Sequence, residues 1–235
     1  MKKRKLLLPF LMIGLTSILM GNAQLQMDGV LLKNYATSSY LKKELSFDAQ
    51  KNVENIILLP KSSFNEEEAV AIINRLNNLP PSLLKKINDN GIKIKLFTGK
   101  LTDNPTAKNL AGVTPRGYQS NRTWDQVPGI GGGQTVLVKI GASQKGNGHG
   151  SINLEYHELA HSIDYKVLGH YSKTKVYLSI WNKEKFTLFP NKPYFQQYAE
   201  EYFAETFAMF YYGGLEKERL RLNAPLTFQY IESIR

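Results

Sequence analysis

The chain has 235 residues, 42% of them hydrophobic and 21% charged, with a formal net charge of +10 and no cysteine. That length supports one substantial core, or two lobes sharing a cleft, and the composition is that of a globular protein rather than a disordered or fibrous one. Without cysteine there are no disulfides and no lipid-modified cysteine, so packing, with or without a metal, must hold the fold.

Residues 1–23 read as a secretion signal. Lys2, Lys3, Arg4 and Lys5 form a positive leading region, Leu6 to Met20 an apolar segment, and Gly21-Asn22-Ala23 a small-residue cleavage site. Cleavage after Ala23 predicts a secreted, extracellular protein with no membrane anchor, because the apolar run is shorter than the ~20 residues of a spanning helix. Cleavage takes Lys+Arg from 30 to 26 against Asp+Glu 20, a net charge of +6. The remaining basic residues are scattered, which argues against nucleic acid or an anionic membrane surface as partner.

The mature chain shows no internal repeat. Residues 24–54 are polar and allow no assignment beyond one short helix. Asn55 to Leu59 reads as a short buried strand. Asn65 then opens a helix, with Glu68 placed for a capping box and Val70, Ile72, Ile73 and Leu76 as its apolar face, ending at Pro80-Pro81. A second short helix runs from Ser82 to near Gly91. Ile92 to Phe97 alternates Ile and Lys in the pattern of a half-buried strand, and Thr135 to Ile140 is a further strand. Between them lies a long connection, 98–133, holding Trp124-Asp125 and the glycines of Pro128 to Gly133. No Lys-Ser/Thr follows those glycines and no helix opens there, so they are not a phosphate loop; a connection this long is a functional loop or lid. A second Gly-rich loop, Gly141 to Gly150, carries Lys145 and His149.

From Ile152 to Val167 the pattern is helical, and it contains His157-Glu158-Leu159-Ala160-His161. Four residues turn a helix by about 400°, so both imidazoles leave one face a turn apart, while Glu158 stands about 100° from His157. Two such histidines can bind a zinc ion, and the intervening glutamate can serve as a general base. The composition would produce this motif by chance in about one of 250 such sequences. A catalytic zinc needs a third protein ligand and an open position. His149 sits in a loop and His170 follows Gly169, which leaves the acidic residues of a helix over about Gln197 to Tyr212. There Glu200, Glu201 and Glu205 stand among aromatics, where carboxylates are costly to bury without a cation. Glu201 and Glu205 share a face, and spacing does not choose between them.

Arg116-Gly117-Tyr118, Thr123 to Gly132, Gly146 to His149, Ile152 to Glu155, His157 to Asp164 and Ala199 to Phe207 together resemble the secreted bacterial Pro-Pro endopeptidases, zinc enzymes related to the anthrax lethal factor catalytic domain. The likeness extends weakly through Asn74 to Leu76 and Ile94 to Asp103, and so covers most of the mature chain in order.

That resemblance implies one Zn2+ held by His157, His161 and Glu201, with Glu158 as general base, Tyr194 as the catalytic tyrosine seven residues before the ligand, and Glu205 supporting the metal site. It implies a substrate-binding region including Arg116, Tyr118, Trp124, His149 and Glu200. Arg116 and Tyr118 stand where the family pattern has Lys and Trp, which puts the flanking preference of the substrate in question. The substrate implied is a proline-rich peptide or cell-surface adhesion protein cut between two prolines, by an enzyme expected to be a monomer. Two alternatives compete with this reading: a lethal-factor-like metalloprotease of other specificity, and a non-catalytic zinc-containing binding module. The expected fold is α+β: a small twisted sheet with helices in an N-terminal lobe (about 24–151), a central zinc-binding helix (about 152–167) and an all-helical C-terminal lobe (about 168–235).

Overall fold

The computed structural model describes residues 28–117 and 121–235. The expected signal segment and Tyr118 lie outside the described residues. Chain order begins with β1 (Val30–Leu31), two short helices, α1 (Tyr40–Glu44) and α2 (Phe47–Val53), and β2 (Ile57–Leu59). The longer helices α3 (Glu66–Asn77) and α4 (Pro81–Asp89) then lead to β3 (Lys93–Phe97), and a long connection to β4 (Gly129–Ile130) and β5 (Thr135–Lys139). The five strands form one sheet in the order β1-β2-β3-β5-β4; β2, β3 and β5 run parallel, and the two-residue edges β1 and β4 are antiparallel to their neighbours.

Local chemistry accounts for these elements. Asn65 accepts a hydrogen bond from the Glu68 N–H at 3.0 Å and caps α3 as its position predicts. Pro81 supplies the first residue of α4, one place earlier than the expected start, because the N–H it lacks has no helical partner there. Residues 28–54 hold more structure than their polarity suggests: Ser39 and Ser46 cap α1 and α2 by accepting from Lys42 and Ala49 N–H groups. The alternation in β3 is also misleading. Lys95 is only 8% exposed, ion-paired with Asp28, and Lys93 donates to the Asn55 carbonyl at 2.8 Å. Both faces of that central strand are covered, as parallel strands require.

The second half is helical: α5 (Leu154–Ser162), α6 (Lys175–Leu188), α7 (Pro193–Gln197), α8 (Ala199–Tyr212), α9 (Gly214–Asn223) and α10 (Pro225–Ser233). The helix expected over about 197–212 is α8, which starts two residues later, after the extended backbone of Tyr198 separates it from the short α7. Within this half Glu184 is buried and accepts from Leu226 N–H, Thr227 N–H and the Thr227 hydroxyl at 2.7 to 2.9 Å, so a single carboxylate satisfies the free donors of the first turn of α10. One contiguous apolar core joins sheet and helices, running from Leu32 through Ile94 and Val138 to Phe203 and Ile234. Helix α5 lies at its centre, with Leu154, Tyr156, Leu159 and Ala160 buried, and packs on β5 on one side and on α8 on the other. No helix among the described residues is long and apolar enough to cross a membrane.

Candidate metal centre

Helix α5 starts where Asn153 accepts from the Tyr156 N–H at 3.1 Å. That cap fixes the phase of the helix, and the phase brings His157 and His161 out on one side, their rings 5.0 Å apart and nearly perpendicular. Past Ser162 the helix widens into a single π-type turn, Ile163–Val167, so the regular helix ends one residue after the second histidine. The Asp164 carboxylate, buried, ties that turn down by accepting from the Ser172 N–H and hydroxyl at 2.8 and 2.6 Å. His170 lies beyond it in a left-handed conformation, stacked on Tyr165.

Across from α5, the first turn of α8 presents Glu201. Its Oε2 lies 3.4 Å from His157 Nε2 and 3.5 Å from His161 Nε2, and the three donor atoms all lie within 4.8 Å of one another. Zinc bonds of ~2.0–2.2 Å in tetrahedral array hold ligand atoms about 3.3–3.6 Å apart. The donor set and its spacing therefore fit such an ion. Glu205, one turn further along α8, takes a different part: Oε2 meets His157 Nδ1 at 3.0 Å, while Oε1 accepts from the Ile152 N–H at 3.0 Å. A carboxylate on Nδ1 makes that nitrogen a donor and turns Nε2 towards Glu201 and His161.

Charge is concentrated here. Burial alone would raise Glu201, but hydrogen bonds from His157 and His161 hold its carboxyl well below the usual range. Burial alone would lower His157, and the two carboxylates beside it push it well above instead. Glu158 is raised, chiefly by burial, against the opposing pull of the two histidines. A cluster of carboxylates and imidazoles in this arrangement is suited to a cation.

Tyr194 stands in α7, with burial first and the charge of Glu201 second raising its hydroxyl above the ordinary tyrosine value. It is packed by Gly117, which has φ +84°, and any Cβ there would come within 2.6 Å of the Tyr194 ring. Arg116, the preceding residue, reaches Glu200 at 2.8 Å and Glu201 at 3.4 Å, with its guanidinium 4.0 Å above the Tyr198 ring. The strap at residues 116–117 thus crosses from the first lobe to α7 and α8.

The glycines of Pro128 to Gly133 line the opposite wall. A Cβ on Gly131 would sit 1.8 Å from the carbonyl oxygen of Glu158, and one on Gly129 would meet the Glu158 and Leu154 side chains at 2.9 Å. The glycines are there because the edge strand lies against the backbone of the metal-site helix, and a backbone approach that close permits no side chain. Gly132 N–H donates to Ser162 Oγ at 3.0 Å and fastens the same wall further along.

The remaining candidates fall around one cleft of about 1280 Å³ that contains the three donors. Trp124 has two roles: it lines the cleft and packs on the small cluster of Phe97, Leu101, Val127 and Leu137. His149 also lines the cleft, but both its ring nitrogens are engaged within its own loop, Nδ1 with Ser151 Oγ at 2.6 Å and Nε2 with the Ala142 carbonyl at 2.7 Å. It shapes the wall without a free donor. The described part of the long connection 98–133 contains three 3-10 turns and the strand β4, and Asp125 gathers it by accepting from Thr102, Thr123 and the Gly112 N–H. Sequence reasoning passed over Arg75 and Glu155, an ion pair at 2.5 Å. The signal was present: Glu155 stands four residues before Leu159, so it shares the apolar side of α5, and a carboxylate there needs a buried cation.

Comparison with known proteins places this geometry. The family described as anthrax toxin lethal factor, N- and C-terminal domain, matches residues 43–234. The Pro-Pro endopeptidase of Clostridioides difficile (strain 630) is 37% identical over 205 residues, 87% of this chain and 92% of that one. The Pro-Pro endopeptidase of Paenibacillus alvei is 37% identical over 186 residues, covering 79% and 85%. The solved structure of the Paenibacillus alvei Pro-Pro endopeptidase superimposes with a TM-score of 0.74 at 36% identity, covering 79% of this chain and all of that one. This chain is a peptidase of the lethal-factor-like family and belongs among its Pro-Pro endopeptidases.

Proposed function

We propose that this chain is a zinc endopeptidase that hydrolyses the bond between two prolines, with the ion held by His157, His161 and Glu201. The single observation that carries the reading is a carboxylate at tetrahedral-edge spacing from two imidazoles, all three donor atoms within 4.8 Å of one another, in a cleft that Glu158 and Tyr194 also line. When bound, zinc supplies Lewis acidity to the scissile carbonyl and to water. Glu158 accepts the proton of the attacking water and returns it to the departing nitrogen. Its burial, which raises its basicity, suits that exchange. Tyr194 keeps its proton and donates to the oxygen of the carbonyl as charge develops there. Glu205 holds His157 in the tautomer that can ligate.

Specificity for proline follows from shape. A proline after the cut has no N–H to pair with the β4 edge, and its fixed φ favours an extended, polyproline-like chain. The cleft answers with glycine backbone on one wall and Trp124, Tyr194 and Phe195 on others. Arg116 and Glu200, ion-paired with each other at the rim, are taken to border the substrate beside the two prolines, and Tyr118, Trp124 and His149 complete the proposed substrate-binding region. The names of the relatives support the Pro-Pro bond as target. The natural substrate is taken to be a proline-rich cell-surface or adhesion protein, and the enzyme to be secreted and monomeric.

Purified protein lacking residues 1–23 is incubated with peptides centred on Pro-Pro and on Pro-Ala, with and without a chelator. Cleavage confined to the Pro-Pro set, stopped by chelator and restored by zinc, is the expected result. Equal cleavage of both sets would sink the proline assignment and spare the peptidase one. Secretion is checked separately, by finding Gln24 as the first residue of protein from culture medium.

A further inference from the structure

Arg75, on α3, reaches the metal-site helix and the neck of the cleft loop with one guanidinium. Its Nε donates to Glu155 Oε1 at 2.5 Å and its Nη2 to Ser143 Oγ at 3.0 Å, while its backbone carbonyl accepts from the Tyr156 hydroxyl. Glu155 and Tyr156 immediately precede His157. The Glu155 side chain is 0% exposed, and its second oxygen has no partner. An ion pair this deep loses hydration that an apolar pair would never have needed, so it is a weak source of stability. Its effect is on position.

Ser143 stands at the neck of the loop 141–150. Its carbonyl accepts from the Leu154 N–H at 3.1 Å, and Asn153, the cap of α5, reaches the same oxygen. The neighbouring Ala142 carbonyl holds His149, His149 holds Ser151, and the following Ile152 N–H ends on Glu205, which holds His157. The loop that borders the cleft and the helix that carries the metal donors are therefore linked at both ends, and Arg75 pins both to α3.

We propose that Arg75 is a positioning residue for this site: through Glu155 it fixes the first turn of α5, and through Ser143 it fixes the neck of the cleft loop. The two then keep one register as substrate enters. This rests on the peptidase reading above. The arms separate in kinetics, since the helix arm sets the aim of Glu158 and the histidines, and the loop arm sets the wall against which substrate docks.

The test compares the zinc-loaded wild type with Ser143→Ala, Arg75→Lys and the double variant Arg75→Met with Glu155→Met, on one Pro-Pro peptide. KM, kcat, zinc content and melting temperature are measured for each. Ser143→Ala is expected to raise KM about three- to tenfold at unchanged kcat and melting temperature. Arg75→Lys, a point charge that cannot fork, should keep kcat near wild type and share that KM rise. The double variant should hold zinc and melt near the wild type, yet lose kcat about tenfold or more. Wild-type KM in Ser143→Ala together with wild-type kcat in the double variant would overturn the proposal, as would losses that only track zinc content or folded fraction. If the double variant does not fold, Arg75→Lys and Ser143→Ala decide: KM rising alone in both supports the proposal, and any other pattern overturns it. A wild type that cleaves no peptide at all fails at the earlier step and overturns the peptidase reading itself.

Discussion

Glu158 and Glu205 both neighbour His157 and are expected to fail in opposite ways when changed. Glu158 is not among the three clustered donors, so Glu158→Gln should retain one zinc per chain by metal analysis and lose about 10²- to 10⁴-fold in kcat. A variant that turned over at the wild-type rate would remove Glu158 from the chemistry. Glu205 fixes the His157 ring through Nδ1 and anchors Ile152. Glu205→Ala should weaken zinc about 10- to 100-fold in a competition titration against a chromophoric chelator, with little change in kcat once the site is saturated. Unchanged affinity would reduce Glu205 to a packing role. The two histidines were legible in the sequence because a four-residue spacing on a helix is a local fact. The division of labour between Glu201 and Glu205 was not legible from spacing, because both lie on one face of α8, and came only from the family resemblance. Only the offset between α5 and α8 sends one carboxylate to Nε2 and the other to Nδ1.

Among elements, the edge strand β4 and the connection before it carry the most information that the sequence concealed. Two residues, one of them glycine, have no alternation to read; β4 exists because β5 pairs with it and α5 lies against it. Gly131→Ala should therefore push the strand off α5, lowering the melting temperature by several degrees and activity at least tenfold, whereas Gly133→Ala, with only ordinary contacts around it, should cost little. Equal tolerance at both positions would mean the wall is slack. The elements that were legible had caps or long apolar runs, such as α3 behind Asn65 and β5 through Val136, Leu137 and Val138. Helices α1 and α2 had serine caps but too few apolar residues to reveal a face. Asp125 organises the connection, and its three hydrogen bonds, from Thr102 first, hold its carboxyl well below the ordinary 3.8. A carboxylate lowered on folding stabilises the native state fully above its unfolded value and loses that contribution as pH falls through the folded one. Wild type should thus melt above Asp125→Asn at pH 6, with the gap closing steadily below about pH 4. A gap independent of pH would show that the carboxylate charge is irrelevant to the loop.

At the scale of the whole molecule, the proposed ion joins α5 to α8 and thereby the sheet-bearing half to the helical half. A ligand that binds only the folded state at a thousand times its dissociation constant adds about 4 kcal/mol. Chelation should therefore lower the melting temperature by roughly 5–15 °C and zinc should restore it, as followed by circular dichroism. Identical melts with and without the ion would confine its role to chemistry. The chain between His161 and Glu201 forms a loop closed at its base by that ion, in a protein with no cysteine to close it otherwise. Such a clasp is indifferent to thiols and oxidants and yields only to loss of metal. An enzyme molecule that loses its ion would then be exposed to neighbouring proteases at the moment it stops working, so that its lifetime and its competence end together.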